Sequence, residues 1–427
     1  MSEIFTAVAL IALLSNIILR VWLSLRQTRF VAAHRHAAPA AFAERISLAA
    51  HQQAADYTLA KAKLERVGLF VESLLFVALT WGGALAALHD FWAQRLVGLG
   101  GNLGYGIALI ASVLLLSGVI DLPLEIYRQF RLEARFGFNR MTPALFIADK
   151  LKQFLVSCLL GLPLLAAVLW LMQVMGAYWW LYVWLVWMGF NLLVLFIYPL
   201  WIAPWFNKFT PLADGEVKTR VHALLQRGAF GNRELFVMDG SRRSSHGNAY
   251  FTGFGKARRI VFFDTLINRL TPAQIEAVLA HELGHFHHRH IIKRMAGIFA
   301  LSLAFLALLG ALLHAPWFFQ GLGVGIDNTG NTALALVLFG LVIPLFAFLT
   351  TPLFSFLSRR DEFQADAYAA RISSAEELAA ALVKLYEDNA ATLTPDPLHS
   401  RFYDSHPPAA ERIAHLQSLA PSGVTAA

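Results

Sequence analysis

Cysteine is almost absent from this chain of 427 residues, and charged residues are scarce. The single cysteine, Cys158, excludes an intramolecular disulfide and lies inside a long apolar run that gives no setting for a cysteine nucleophile. Charged residues make up only 15% of the chain, whereas hydrophobic residues make up 57%, with a mean hydropathy of +0.54. These values exclude an ordinary soluble protein and predict a chain embedded in a membrane.

Long apolar runs predict about seven membrane spans and therefore an all-α polytopic membrane protein. The N-terminal run has no basic segment before it and no small-residue cleavage site, which favours a retained span over a removed signal peptide. The predicted spans are Ile4 to Leu25, Val67 to Leu88, Gly104 to Leu124, Phe154 to Met175, Ala177 to Ile202, Met295 to Leu313, and Thr332 to Leu357.

Lysine and arginine lie almost entirely on one side of this predicted topology. Of the 35 such residues, Arg95 alone falls in a segment assigned to the outer side, and Arg20 lies near the inner end of the first span. The positive-inside rule then places the loops after spans one, three and five and the tail in the cytoplasm, and the N-terminus outside. The net charge of +7 therefore indicates this orientation and contact with membrane lipid, and no nucleic-acid partner is predicted.

The sequence His281-Glu282-Leu283-Gly284-His285 carries the clearest chemical signal. On a helix, His281 and His285 lie one turn apart on the same side, so both imidazoles can bind one zinc ion. Glu282 lies one step off that line, where it can reach a water beside the metal and act as the general base. A tetrahedral site would still need a third protein ligand.

The residues before this motif predict that it lies on a helix. Thr271 is suited to the N-cap position, Pro272 to the first helical position, and Gln274 completes a Thr-x-x-Gln capping box. Apolar residues then continue at helical spacing through the motif, so both histidines are predicted to project from a regular helix.

Three further histidines, His287, His288 and His290, follow the motif. His288 falls close to His281 on the helical wheel, so an alternative register would pair His285 with His288, without a glutamate directly between them. Otherwise these histidines form a polar collar where the helix enters the bilayer.

A pair of carboxylates one helical turn apart, Glu362 and Asp366, follows the last predicted span. One carboxylate of such a pair would bind the metal, and the other would orient a ligand histidine through its free N–H. The spacing alone leaves this open, since carboxylate pairs on helices are usually solvated.

Two short apolar runs, Glu234 to Asp239 and Arg259 to Phe263, are typical of strands, and Asn248 to Phe254 lies between them among glycines. A strand at that position could pair with an extended peptide through its backbone, as substrates pair with many proteases. The alternative is an ordinary strand of a sheet.

Seven sequence segments together resemble the type I CaaX prenyl endopeptidases, seven-span membrane zinc metalloproteases related to the HtpX quality-control proteases. They span most of the second half of the chain and part of the first, in the order of that family. The segments are Asp121-Leu122-Pro123 with Glu133 to Asn139, Phe206 to Phe209 before Pro211-Leu212, His246 to Tyr250, Phe254-Gly255, His281 to His285, Ser358 to Asp366, and His406-Pro407-Pro408 with Glu411-Arg412.

The resemblance implies a role for each candidate residue. One zinc ion per chain would be bound by His281, His285 and Glu362, and Glu282 would be the general base. Asp366 would orient a ligand histidine. Asn248 and His406 would hold the substrate backbone or stabilise the oxyanion of the tetrahedral intermediate. Ala249 and Tyr250 would line the bound substrate beside Asn248.

The resemblance also implies an architecture, in which membrane helices enclose a chamber capped by a small cytoplasmic α+β zinc-metalloprotease domain. The expected division is 1–202 for the first five spans, 203–294 for the catalytic domain, 295–357 for spans six and seven, and 358–427 for the segment completing the zinc site. Glu72 in the second span would then face water in the chamber; alternatively the span is shifted and Glu72 lies at the interface near Arg66.

The predicted function is that of an integral-membrane zinc metalloendopeptidase that hydrolyses peptide bonds near the C-terminus of a substrate, which in this family is prenylated. Two alternatives remain: a quality-control metalloprotease acting on misfolded or stalled membrane proteins, and a metal transporter or sensor. The final residues, Gly423 to Ala427, carry no CaaX box and no retrieval signal, which favours a bacterial inner membrane over the endoplasmic reticulum.

Overall fold

The computed structural model describes residues 1–231, 233–252, 259–325 and 331–420, except for the side chains of 97–100, 252 and 331. The last residues of the chain, and the predicted Phe254-Gly255 segment, lie outside the described residues. The helices are α1 (Ser2–Ala33), α2 (Leu48–Leu79), α3 (Ala84–Tyr127), α4 (Pro143–Val174), α5 (Trp179–Ile197), α6 (Ala203–Phe206), α7 (Glu216–Arg227), α8 (Asp264–Ile267), α9 (Pro272–His287), α10 (His290–Leu312), α11 (Pro316–Gln320), α12 (Asn331–Ala347), α13 (Thr351–Ile372), α14 (Ala375–Asp388), α15 (Pro397–Tyr403) and α16 (Ala409–Leu419). The strands are β1 (Phe209–Pro211), β2 (Glu234–Met238), β3 (Ala249–Thr252) and β4 (Arg259–Phe263).

Among the described residues, six helical segments are long and apolar enough to cross a membrane, and a bent pair of helices makes a seventh span if it is counted as one. The fold is mostly helical, at 78% of the residues, as the apolar runs predict. The six segments are Ser2–Ala33, Gly101–Glu133, Pro143–Val174, Gly176–Phe206, His290–Leu312 and Thr332–Ile372.

The predicted second span, Val67 to Leu88, is broken in the structure. Helix α2 ends at Leu79 and α3 begins at Ala84, with a bend of 51° between them. The break lies at two consecutive glycines: Gly83 has a φ of +77°, in the left-handed region that favours glycine. A hydropathy pattern registers apolar length and not direction, so it reads the two helices as one span.

The long helices form a closed ring around a chamber. Helices α1, α2, α3, α4 and α5 contact one another in sequence, α5 contacts α10, α10 contacts α12, and α12 returns to α1. Helix α12 also contacts α3 and α4 across the ring. In five of the six spans only 6% to 17% of the most apolar stretch is buried, so these helices expose an inner face as well as a lipid-facing one. A solid bundle would bury the inner face.

Opposite ends of the ring are closed in different ways. A buried apolar cluster that includes Ala9, Leu79, Leu109 and Leu169 closes one end, and the domain built on the β-sheet closes the other. Between them, Glu72 of α2 lies 3.3 Å from the guanidinium of Arg20 on α1, and its side chain is 64% exposed. The structure therefore places this intramembrane carboxylate beside a cation on the neighbouring helix, where a charged group is tolerated.

The domain at this end of the helix ring contains a four-stranded sheet of order β1-β2-β4-β3. Strands β2 and β4 are parallel, and β1 and β3 pair antiparallel with their neighbours, so β3 is an edge strand. Ile260 and Phe262 of β4 pack against Leu279 of α9 and Leu224 of α7 in one apolar core. The predicted strands around residues 234 and 259 are confirmed, and α9 lies beneath the sheet edge.

Candidate metal centre

Helix α9 begins as its sequence predicts. The hydroxyl of Thr271 accepts a hydrogen bond from the backbone N–H of Gln274, the side chain of Gln274 accepts one from the N–H of Thr271, and Pro272 occupies the first turn. This capping box satisfies two N–H groups that the helix itself leaves without partners. The helix continues to His287, so the predicted helical setting of the motif is confirmed.

His281, His285 and Glu362 come together in the structure although two membrane spans separate Glu362 from the others. His281 Nε2 lies 3.2 Å from His285 Nε2 and 3.5 Å from Glu362 Oε2, and His285 Nε2 lies 3.3 Å from Glu362 Oε1. All three ligand atoms lie within 4.8 Å of one another. Two imidazole nitrogens and one carboxylate with this spacing can surround a single metal ion.

Gly284, between the two histidines, sets the distance from α9 to α13. A Cβ at this position would lie 2.8 Å from the Cα and 2.9 Å from the backbone oxygen of Ala365, three residues after Glu362. Real Cβ atoms do not approach backbone so closely, and a backbone neighbour cannot move aside as a side chain can. The glycine therefore permits the close helix packing that brings Glu362 to His281 and His285.

We expect Gly284→Ala to lower stability by about 1–3 kcal/mol and to weaken metal binding, because α13 must move away from α9 to admit the added methyl group. Thermal unfolding and metal titration of the purified protein measure both effects. Gly297→Ala is the matched control, since nothing lies within 4 Å of a Cβ built there on α10. Equal behaviour of the two variants would contradict the packing role of Gly284.

The donor set fits a metal ion. Glu362 is 3% exposed, and its Oε2 lies 2.8 Å from His406 Nδ1 and 3.5 Å from Arg412 Nη1 but accepts no hydrogen bond of ordinary geometry from the described residues. A buried carboxylate oxygen left without such a donor is costly unless it binds a cation. Nitrogen and carboxylate donors suit a divalent transition metal.

Glu282 follows His281 directly and is half-buried. It makes no hydrogen bond or ion pair with any residue that the structure describes. A carboxylate that is adjacent to a metal-binding group and is held by no other side chain is available to accept a proton.

Asp366 and Arg412 both contact the ring of His281. Asp366 is fully buried, and its Oδ1 lies 2.8 Å from His281 Nδ1. Arg412 of α16, 5% exposed, donates from Nε to Asp366 Oδ2 and from Nη2 to Asp366 Oδ1, both at 2.8 Å. Burial disfavours the charged guanidinium, but the two bonds to Asp366 outweigh it and raise the pKa of Arg412 above its usual range. The pair fixes the His281 ring so that Nε2 faces His285 and Glu362.

Replacing Arg412 with methionine should cost about 3–5 kcal/mol of stability, since it leaves the carboxylate of Asp366 buried without its cation. Thermal unfolding measures the loss. The double variant Arg412→Met with Asp366→Asn should recover part of it, because no unpaired charge remains. Arg35→Met, which breaks a partly exposed pair with Asp56, should cost less than about 1 kcal/mol. If Arg412→Met lowers stability no more than Arg35→Met does, the buried ion pair with Asp366 does not have the role described here.

The predicted substrate-contacting residues lie at different distances from the metal-binding group. His406, in the loop before α16, is exposed and places Nδ1 2.8 Å from Glu362 Oε2. Asn248 is exposed at the start of edge strand β3, and its Oδ1 accepts a hydrogen bond from the N–H of Ala249. Ala249 packs into the core on the α9 side of the sheet.

Tyr250 points to the opposite face of the sheet, because side chains alternate along a strand. Its hydroxyl lies 3.9 Å from Met238 Sδ, and its ring packs edge-on against Phe263. Burial raises the pKa of Tyr250 to about 12, so its hydroxyl stays protonated. The side chain of Tyr250 therefore points away from the face of the sheet that packs on α9.

The alternative register through His288 finds no support in the geometry. Helix α9 ends at His287, and the rings of His287 and His288 contact Tyr368. His288 contacts none of the three metal-binding side chains among the described residues.

The sequence does not predict the positions of two residues of the site, Arg412 and His290. Arg412 was part of the resembling Glu411-Arg412 segment, but nothing in the spacing showed that α16 returns to Asp366. His290 was grouped with the polar collar, whereas the structure buries it at 2% exposure with Nδ1 3.0 Å from His285 Nδ1. Both contacts depend on tertiary packing that no local pattern encodes.

Comparison with known proteins agrees with this geometry. Residues 27–208 match a family described as "CAAX prenyl protease N-terminal, five membrane helices", and residues 211–420 match "Peptidase family M48". A CAAX prenyl protease 1 homolog of Arabidopsis thaliana is 37% identical over 376 residues, covering 86% of this chain and 87% of the relative. The CAAX prenyl protease 1 of Saccharomyces cerevisiae is 34% identical and covers 84% of each chain. The crystal structure of Saccharomyces mikatae Ste24p superposes with a TM-score of 0.89 at 28% identity, covering 96% of this chain and 98% of that one.

Proposed function

This chain belongs to peptidase family M48 and is a multi-pass membrane metalloendopeptidase of the CAAX prenyl protease 1 type, and on that basis we propose that it uses zinc to cut peptides near a prenylated C-terminus. The observation that carries the proposal is the meeting of Glu362 with His281 and His285 at the closed end of a ring of membrane helices. The family membership leaves the metal-transporter alternative without support.

We propose that His281, His285 and Glu362 hold one zinc ion per chain. Two imidazoles and one carboxylate are the protein ligands of a common class of catalytic zinc site, in which the fourth position stays open. Zinc bound there would polarise the scissile carbonyl and lower the pKa of water toward about 7. Asp366 and Arg412 hold the His281 ring in the orientation that this ligand role requires.

In the proposed reaction Glu282 is the general base. Its carboxylate accepts a proton from the water that attacks the scissile carbonyl and later passes that proton to the leaving amine. Its half-buried position and its freedom from hydrogen bonds to the described residues suit both transfers.

We assign His406 and the edge strand β3 to the substrate. His406 is exposed beside Glu362, so its ring can donate a hydrogen bond to the oxygen on which negative charge develops. Strand β3, which follows Asn248 and includes Ala249 and Tyr250, is an edge of the described sheet, where an extended peptide can add as a further strand. The side chain of Asn248 is exposed and can hold the same backbone.

The proposed substrate is a protein with a prenylated C-terminal segment that reaches the site from the chamber, with membrane lipid around the helix ring. The distribution of Lys and Arg supports a cytoplasmic catalytic domain. We propose a bacterial inner membrane as the location, with the endoplasmic reticulum membrane as the alternative. The division into 1–202, 203–294, 295–357 and 358–427 remains our proposal for the domains.

Cleavage of a farnesylated CaaX peptide by the purified protein tests the proposed substrate. We expect release of the last three residues with metal present and no release after a chelator has removed it. The same peptide without the farnesyl group, and an unmodified misfolded membrane protein, are the comparison substrates. Equal or faster cleavage of the misfolded protein would favour a quality-control protease instead.

A further inference from the structure

A buried polar network lies on the side of His285 away from the metal-binding group. His290 Nδ1 lies 3.0 Å from His285 Nδ1, and His290 Nε2 lies 3.0 Å from Gln364 Oε1 and 3.5 Å from Asp361 Oδ1. His290 is 2% exposed, and Gln364 stands two residues after Glu362 on α13. The network therefore links α9, α10 and α13 at one point.

The local backbone is built to place His290 there. Helix α9 ends at His287, and α10 begins at His290 after a sharp turn in which Arg289 has a φ of +56°. A left-handed conformation is costly for a residue with a side chain and persists only where the surrounding structure imposes it. The turn reverses the chain so that His290, five residues after His285, lies against the ring of His285.

The hydrogen bonds from His285 through His290 to Gln364 fix which ring nitrogen of each histidine carries the proton, if His285 binds a metal. The Nε2 atom of His285 faces His281 and Glu362, so it must keep its lone pair to bind a metal. The proton of His285 then lies on Nδ1, which donates to the Nδ1 lone pair of His290. His290 in turn carries its proton on Nε2, which donates to Gln364 Oε1. Each ring thus fixes the tautomer of the next.

We propose that His290 is a positioning residue that holds His285 in the tautomer and orientation needed to bind the metal, with Gln364 as its own support. This inference rests on the proposed metal site. It gives each ligand histidine a separate support, since Asp366 with Arg412 serves His281 and His290 with Gln364 serves His285. Partners of this kind typically change metal affinity by about 10- to 100-fold.

A neighbouring histidine, His287, provides a matched control. Its ring stacks on Tyr368, and among the described residues it makes no hydrogen bond with His285. His288 is unsuitable as a control, because its ring stacks on that of His290. A general effect of removing a histidine from this segment would therefore appear in His287→Leu as well.

Zinc affinity, measured on the full-length purified protein by competition with a chromophoric chelator, tests the proposal. His290→Leu removes the acceptor and should weaken zinc binding by about 10- to 100-fold. His290→Asn keeps an acceptor at the position of Nδ1 and should stay within about 3-fold of wild type. His287→Leu should bind as wild type does. The visible spectrum of the cobalt-loaded protein should change in His290→Leu and not in His290→Asn.

Each outcome separates this inference from the proposed function. If the wild-type protein binds no zinc, the proposed metal site fails. If it binds zinc and His290→Leu binds as tightly, the positioning role fails. Equal weakening by His290→Leu and His290→Asn would show that ring shape and not the hydrogen bond acts, which also overturns the proposal. Should His290→Leu fail to fold, His290→Asn and Gln364→Met decide, the latter with an expected loss of about 3- to 10-fold.

Discussion

The Glu282→Gln variant is expected to lose peptide hydrolysis by about 10²- to 10⁴-fold while keeping its fold and its metal. Glutamine has nearly the shape of glutamate but cannot accept the proton from the attacking water. Glu282 makes no hydrogen bond or ion pair with the described residues, so the substitution breaks no structural contact. Initial rates on a farnesylated CaaX peptide, together with metal content and thermal unfolding, measure the three quantities.

A matched control for this prediction is Glu234→Gln. This variant replaces the same residue type with the same amide, but on β2, where the exposed side chain of Glu234 pairs with Arg259 and contacts none of His281, His285 or Glu362. That variant should cleave the peptide at the wild-type rate. The assignment of Glu282 as the base would be wrong if Glu282→Gln, loaded with metal, cleaved the peptide as fast as Glu234→Gln does.

The Glu362→Ala variant is expected to lose stoichiometric metal binding. It removes the carboxylate from the three proposed ligands. Residues that only support a ligand change metal affinity by about 10- to 100-fold, so loss of a ligand should lower it further. Hydrolysis should fall with metal content. Elemental analysis of the purified protein measures bound zinc per chain.

Glu411→Ala is the control for Glu362→Ala. Glu411 is an exposed carboxylate next to Arg412 on α16, so its removal leaves the buried group intact. Its metal content should equal that of wild type. One zinc per chain in Glu362→Ala would mean that a different side chain supplies the third ligand. Loss of metal in both variants would instead show a general effect of lowering negative charge near the site.

Local sequence patterns predict those parts of the candidate site whose residues lie on a single helix. Four-residue spacing on a capped helix is enough to place His281 and His285 together, because the geometry of a helix turn is fixed. The same reasoning relates Glu362 to Asp366 on α13. Whether those two helices meet is a tertiary question that spacing does not answer, and the structure shows that Gly284, whose missing side chain allows the close approach, makes it possible.

The remaining contacts depend on packing that spacing does not encode. Arg412 reaches Asp366 because α16 packs on α13, and His290 reaches His285 because Arg289 adopts a left-handed turn. The break between α2 and α3 was likewise invisible to hydropathy, since both sides of it are apolar. Turn geometry and helix-on-helix placement are properties of the assembled chain, and a pattern of residue types predicts them poorly.

The order of the proposed metal ligands along the chain has a consequence for biosynthesis. A nascent polypeptide that has left the ribosome as far as His285 holds two of the three proposed ligands, and Glu362 follows only after two more long apolar helices. His406 and Arg412 emerge later still. The proposed catalytic group can therefore assemble only after the membrane helices between His285 and Glu362 have been made.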